Sequence, residues 1–214
     1  HQAAVDVVAA GTTGTATVRL EQTPLLEGAV VAVENRTGHV LAMVGGFSFQ
    51  RSKFNRATQA MRQIGSTFKP ILYTAAIDRG LTPATMLVDE PHAFEVGTGQ
   101  PLYEPRNYDG KFDGPLTLRT ALERSRNVPA VLVMEMLGPA QVAPYATRFG
   151  LPGELPPYLS SALGAGESTL LALTSAYSAF PNHGVRMEPA QVLSVSDREG
   201  VTLDPMQMRF LHLV

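Results

Sequence analysis

The 214-residue chain has no cysteine. A disulfide framework and a thiolate metal site are therefore excluded, and a domain of this length needs no such staple. Lysine is nearly as scarce. Lys53, Lys69 and Lys111 stand against fourteen arginines, so few cationic side chains have a proton that can be removed. The five histidines, His1, His39, His92, His183 and His212, are scattered with no H-x-x-x-H pairing, which leaves no zinc-binding pattern. No apolar run approaches the roughly 18 residues of a membrane span. A basic n-region followed by a long apolar h-region, the mark of a signal peptide, is also missing. The net charge of −2 argues against nucleic acid as a partner, because broad phosphate contact needs a basic surface. With 44% apolar and 17% charged residues, the composition is that of a folded globular protein. The first residue is His1 rather than methionine, and the chain reads as a piece of something longer.

Along the chain, residues 1–27 are small and polar, with Gly11, Gly14 and five threonines. They read as a linker holding one strand at Thr15–Leu20. Two apolar runs, Ala29–Glu34 and Val40–Gly45, flank an Asn/Gly turn and predict an antiparallel hairpin. Apolar residues on both faces place that hairpin in the middle of a sheet. A helical pattern begins at Ser66 and closes at Gly80. Residues 81–114 are rich in proline, glycine and aspartate and read as loop. Pro115 then opens a helix, and further helices are predicted at about 129–137, 139–149 and 167–180. Strand-like alternation returns over Arg186–Leu203, around an Asp197–Gly200 turn. Hairpin, helices and strand again indicate a mixed α/β class.

Gly65-Ser-Thr-Phe-Lys69 is the sharpest chemical signal. Ser66 and Lys69 lie three apart at a helix start and share a face. A serine hydroxyl is a weak nucleophile unless a base takes its proton. Lysine can serve if desolvation lowers its pKa; arginine cannot. With eleven serines and three lysines, one S-x-x-K arises by chance in roughly one such chain in seven. Alone, a helix-cap serine beside a solvated lysine is the stronger reading. Ser125-Arg-Asn127 follows fifty-nine residues after Ser66. A second hydroxyl near such a pair can relay a proton, and an asparagine amide can hold a substrate peptide or the lysine. The plainer reading is a helix C-terminal region, where Ser and Asn are ordinary.

Together, in this order, the two elements match the S-x-x-K and S-x-N part of the signature of serine β-lactamases and penicillin-binding proteins. Arg62-Gln-Ile-Gly-Ser-Thr-Phe-Lys-Pro70 resembles the nucleophile box of class A, bifunctional penicillin-binding proteins. Tyr103-Glu-Pro-Arg-Asn-Tyr-Asp-Gly110 and Gly114-Pro-Leu-Thr-Leu-Arg-Thr-Ala-Leu-Glu-Arg-Ser-Arg-Asn-Val-Pro129 resemble the approach to the second box. The resemblance extends over about residues 28–203. It implies the serine β-lactamase/DD-peptidase-like fold: an antiparallel sheet packed by helices, with a mainly helical lobe. That fold would be incomplete here, with residues 28–214 the N-terminal part of the transpeptidase domain. Two departures stand out. Ile64 occupies a position where the family usually has proline. No K-T-G follows Asn127, and Arg36-Thr-Gly38, which precedes the nucleophile in a hairpin turn, is not its equivalent.

The resemblance further implies that Ser66 is an acyl-accepting nucleophile, Lys69 its general base, Ser125 a proton relay and Asn127 a ligand of substrate and lysine. The implied activity is peptidoglycan DD-transpeptidation, with stem peptides ending in D-Ala-D-Ala as substrates and β-lactams as covalent inhibitors. No metal or organic cofactor is implied. The expected location is the outer face of the cytoplasmic membrane, with the anchor elsewhere. A second polypeptide carrying the rest of the domain would be a further partner. A non-catalytic fragment or scaffold is the alternative reading, resting on the absent third box. A β-lactamase is a weaker one, because Glu167-Ser-Thr-Leu-Leu171 has Leu171 where an E-x-x-L-N loop has asparagine. Glu167 reads more simply as an acidic residue at a helix start.

Overall fold

A computed structural model describes residues 4–10, 16–22, 24–97, 99 and 101–202, with only the backbone for residues 4–21. The chain begins with a hairpin of β1 (Ala4–Ala10) and β2 (Ala16–Glu21), antiparallel with a bulge between Val7 and Ala9. The expected strand at Thr15–Leu20 is thus one of a pair; Thr15 itself lies outside the described residues.

The second hairpin pairs β3 (Val30–Val33) with β4 (Val40–Val44). Its turn is closed by Gly38 at φ +80°, whose N–H donates to the Glu34 carbonyl at 2.8 Å. A side chain at Gly38 would collide with the Glu188 carbonyl, so Arg36-Thr-Gly38 is a turn by construction. The hairpin does not sit mid-sheet among the described residues. It is a two-stranded sheet, extended only by a parallel bridge from His39 to Ala190. Val30, Leu41 and Val44 are 63%, 69% and 55% exposed. Val31 and Val33 face inward and are half-buried. The expectation of a central pair fails because only one face has a packing partner, a helix described below.

Two-residue β5 (Arg62–Gln63) leads into a 3-10 turn at Gly65–Phe68, which runs directly into α1 (Lys69–Asp78). Pro70 fits the first helical turn, where its missing N–H is no loss. Beyond Asp78, Leu81 N–H donates to the Ala76 carbonyl and Gly80 adopts φ +98°, the left-handed stop that glycine supplies. Ile71, Leu72, Ala75 and Ala76 are all fully buried. A helix apolar on most sides is a core helix, and α1 is packed on by the helices that follow.

Residues 81–114 are not all loop. β6 (Met86–Asp89) pairs antiparallel with β7 (Gly114–Thr117). Pro115 therefore lies in a strand, not at a helix start. α2 (Leu118–Glu123) begins three residues later, with Thr117 Oγ1 accepting from the Thr120 N–H. The Thr-x-x-Thr cap outweighs the proline as a start signal. α3 (Asn127–Leu137) and α4 (Pro139–Arg148) follow close to expectation, separated by Gly138. They bury Val131, Val133, Met134, Val142 and Tyr145 against α1.

After a 3-10 turn at Leu159–Leu163, β8 (Glu167–Ser168) pairs with β5, and α5 (Leu170–Ser178) starts at a Thr169 cap. Glu167 is consequently a strand residue rather than the start of the helix. α5 packs against the inward face of β3. Residues 186–202 form no ladder: Ala190 bridges His39 of the second hairpin, and Ser196 bridges Thr202 around the Asp197–Gly200 turn. The local alternation there lacks a neighbouring strand to pair with. Leu203 lies outside the described residues.

Candidate active site

β5, β8 and α5 converge on the start of α1. β5 and β8 clamp the approach to Ser66: Ile64 N–H donates to the Gly166 carbonyl and Gly65 N–H to the Gly164 carbonyl, both at 3.1 Å. Gly65 has φ +56°, and a Cβ on Gly164 would lie 2.0 Å from the Gly65 carbonyl oxygen. Only glycine allows this approach. From the other side, Tyr177 Oη on α5 donates to the Thr67 carbonyl at 2.7 Å. Ser66 thus sits on a turn held at both flanks, with its side chain exposed. Among the described residues its hydroxyl makes no hydrogen bond, and its N–H has no carbonyl partner outside its own turn.

Lys69 is the opposite. Its side chain is buried, 1% exposed, and reaches across to the segment between α2 and α3. There Nζ donates to Ser125 O at 2.6 Å, Ser125 Oγ at 3.1 Å and Asn127 Oδ1 at 2.7 Å. An ammonium has three protons, so this cage uses all of them. Burial lowers the Lys69 pKa to about 8. Ser66 and Lys69, expected from their one-turn spacing to lie within hydrogen-bond reach with Ser125 beside them, make no side-chain hydrogen bond to each other; the three Nζ protons go to Ser125 and Asn127. The backbone alone joins the two, through Lys69 N–H to the Ser66 carbonyl.

Ser125 can present both oxygens to Lys69 because its backbone is left-handed, φ +52°. That conformation is uncommon for a residue other than glycine, asparagine or aspartate. It is enforced on both sides. The Ser125 and Arg126 N–H groups cap the end of α2 through the Leu122 and Ala121 carbonyls. The Arg126 guanidinium is gripped by carboxylates, with Nε 3.4 Å from Asp89, Nη1 3.0 Å from Asp109 and further bonds to Asp113. The Arg126 guanidinium, bonded to Asp113 ahead of Arg124, holds Asp113 down to about 2. Asn127 is fixed as well: its N–H donates to Asn107 Oδ1 at 2.7 Å, and its Nδ2 to the Arg106 carbonyl at 2.8 Å. The second contact orients the amide so that Oδ1 faces Lys69.

Sequence reasoning missed Asp89, Asn107, Asp113 and Gly164. Asn107 stood in the Tyr103–Gly110 segment that carries the resemblance, but no spacing rule ties it or Gly164 to Ser66. Glu167 is exposed and paired with Gln63 through the backbone. Among the described residues no cluster of histidine and carboxylate side chains could hold a metal.

The profile of the penicillin binding protein transpeptidase domain matches residues 28–212. The chain belongs to that family. Penicillin-binding protein 1A of Neisseria lactamica is 44% identical over 188 residues, 87% of this chain and 24% of that protein. Penicillin-binding protein 1A of Rickettsia conorii is 41% identical, over 85% of this chain and 23% of that protein. The crystal structure of penicillin-binding protein 1A from Haemophilus influenzae superimposes with a TM-score of 0.82 at 35% identity, covering 91% of this chain and 29% of that one. The penicillin G acyl-enzyme of penicillin-binding protein A from Mycobacterium tuberculosis gives 0.74 at 25% identity, over 83% and 51% of the two chains. The penicillin-binding protein fold is therefore that of the serine β-lactamase/DD-peptidase group, and the resemblance to class A members holds. The chain spans about a quarter of the length of the curated penicillin-binding proteins it matches.

Proposed function

We propose that residues 28–214 are the N-terminal part of a peptidoglycan DD-transpeptidase domain acting by a serine acyl-enzyme mechanism. The observation that carries this reading is the Lys69 cage: a buried lysine with lowered pKa, held by a Ser-x-Asn segment one turn from an exposed serine. Ser66 Oγ attacks the carbonyl of the penultimate D-alanine of a stem peptide. The C–N bond breaks, D-alanine leaves with a proton, and an amine of a neighbouring stem then takes the acyl group from Ser66. β-Lactams enter the same way, but the opened ring remains attached to the acyl group and no amine leaves.

The cage suits the proton traffic. A neutral amine keeps two N–H groups and gains a lone pair. The Ser125 carbonyl and Asn127 Oδ1 can only accept, so they hold the two N–H groups. Ser125 Oγ, the longest of the three contacts, is the one that can reverse and donate. The lone pair of Lys69 therefore opens on the hydroxyl side of the site, where it takes the Ser66 proton and passes it through Ser125 to the leaving amine. Asn127 serves as a ligand for the lysine and, through its amide, for substrate. The Ser66 N–H is a donor for the developing oxyanion. The domain acts at the extracytoplasmic face of the membrane, where its substrate lies; no helix among the described residues is long and apolar enough to cross a membrane.

The test is intact-mass analysis of the polypeptide carrying this domain after exposure to a labelled penicillin. One adduct per chain is expected, absent from Ser66→Ala. An adduct that survives that substitution would overturn the assignment.

A further inference from the structure

α3 begins without a cap of its own. Arg126 stands at the N-cap position and makes no side-chain bond to the helix. The first N–H of α3, that of Asn127, is instead satisfied by Asn107 Oδ1, twenty residues earlier. Asn107 is 4% exposed, and its other end is committed just as firmly. Nδ2 donates to both oxygens of Asp89, at 2.7 and 2.9 Å, and to the Lys111 carbonyl at 2.9 Å. Asp89 is fully buried at the end of β6. It also accepts from the Asp113 N–H at 3.0 Å and lies 3.4 Å from Arg126 Nε. The orientation of the Asn107 amide is therefore fixed, because turning it over would set its oxygen against a carboxylate and an N–H against an N–H.

The arrangement is a rigid link from a sheet to a functional side chain. β6 is paired along its length with β7, so Asp89 has a fixed place. Asn107 reads that place and delivers it to Asn127. The preceding residue grips the same asparagine a second time, through the Arg106 carbonyl and Asn127 Nδ2. Asn127 Oδ1 and the Ser125 carbonyl are two of the three acceptors around Lys69. The charged groups near this cage are Asp89 on β6, Asp109 and Asp113 in the loop before β7, and Arg126 before α3. Tyr73, one turn along α1, also faces Asp89.

We propose that Asn107 is a positioning residue for acyl transfer at Ser66, setting the Lys69 cage by clamping Asn127 to buried Asp89. It touches neither substrate nor nucleophile. Its effect runs through the geometry and dryness of the cage, and hence through the protonation of Lys69. The inference rests on the function proposed above.

The experiment measures the second-order rate of acylation by a chromogenic β-lactam as a function of pH, in the intact polypeptide carrying this domain. Asn107→Ala should lower the rate on the order of ten- to a hundred-fold. Water entering the loosened cage should also move the rising limb of the profile to higher pH, because the limb follows loss of a proton from Lys69. A merely structural residue would lower the melting temperature and leave that limb in place, and such a result would overturn the proposal.

Asn107→Asp guards against a variant that does not fold. It keeps an acceptor for the Asn127 N–H but sets a second carboxylate against Asp89. Two adjacent carboxylates share a proton at low pH and repel once both ionise. Its acylation should fall, relative to the parent, as pH rises; a parent-like profile would count against the clamp. Ser66→Ala separates the two hypotheses. Acylation of that variant would sink the functional reading itself. A silent Ser66→Ala with a parent-like Asn107→Ala would sink only the clamp.

Discussion

Lys69 Nζ donates to both the carbonyl and the hydroxyl of Ser125, at 2.6 and 3.1 Å, across fifty-six residues of sequence. This double contact joins the core helix to the segment between α2 and α3. It also leaves the lysine with no proton to spare once Asn127 has taken the third. In the proposed mechanism, chemistry at Ser66 would consequently start with the loss of a proton from Lys69.

Acylation should therefore follow the neutral form of Lys69. Its folded pKa is lowered to about 8, so the rate should be small below that value, rise through it, and level above it. Lys69→Arg supplies a cation that cannot act as base at these pH values. It should cost on the order of a hundred- to ten-thousand-fold and abolish the rise. Stopped-flow acylation of the intact polypeptide across this range gives both numbers. A parent profile flat through pH 8 would remove Lys69 from the role of base.

Ser125 should separate activity from stability. Ser125→Ala and Ser125→Gly both lose the hydroxyl and should lose on the order of a hundred-fold in acylation. Glycine, however, adopts the φ of +52° without strain. The glycine variant should be more stable than the alanine variant by about 1 kcal/mol, as read by denaturant unfolding. Equal stability would mean that the left-handed backbone at 125 costs nothing.

Gly164→Ala should be a functional lesion outside the recognised motifs. The new methyl would lie 2.0 Å from the Gly65 carbonyl oxygen, and the residue after Gly65 is the proposed nucleophile. Displacement of about 1 Å at a reacting atom costs on the order of a hundred-fold. The measurement is penicillin acylation alongside circular dichroism. A folded Gly164→Ala protein with parental kinetics would show that the turn absorbs the shift.

The Arg126 cage predicts an acid-sensitive part of stability. Asp113 has a folded pKa of about 2, below its unfolded value. Its contribution is present in full above about pH 4 and is lost as pH falls through 2. Arg126→Met removes that contribution and leaves Asp89 buried without its cation, which destabilises the fold. The melting temperature of the variant should fall below the parent's at neutral pH, with the gap narrowing below pH 4. A constant gap across that range would contradict the ion-pair account.

These positions show what one-dimensional patterns carry. Ser66, Lys69, Ser125 and Asn127 stand out as candidates because two motifs sit at the right separation, and α1, α3 and α4 are legible because caps, glycines and apolar spacing agree. β6, β7 and the acidic grip on Arg126 were not. Pro115 reads as a helix start although the Thr117 cap is what begins α2, and Asp89, Asn107 and Asp113 look like ordinary loop residues until the strand pairing brings them together. The missing Ser66–Lys69 bond was equally invisible, since it depends on how many acceptors reach Nζ. The hairpin of β3 and β4 has apolar residues on both faces, yet alternation cannot say which face finds a partner.

The 214-residue chain by itself should be acylated slowly. No K-T-G follows Asn127 within these residues, and the resemblance puts the second oxyanion donor on the strand bearing that box, so this stretch supplies the Ser66 N–H alone. One missing donor costs on the order of a hundred- to a thousand-fold. The exposed Val30, Leu41 and Val44 of the hairpin also leave an apolar face open. The check is adduct formation by the isolated 214-residue chain beside the intact polypeptide. Rapid stoichiometric labelling of the isolated chain, absent from Ser66→Ala, would show that the third motif is dispensable.

The scarcity of lysine and the burial of Lys69 together give the domain a reporter of its own. Lys53 and Lys111 are exposed, while Lys69 is sealed beneath Ser125 and Asn127. An amine-reactive reagent should therefore modify the first two side chains of the native fold and spare the third. The appearance of label on the peptide containing Lys69 would time the moment at which α1 parts from the Ser125–Asn127 segment, whether that opening is local or global.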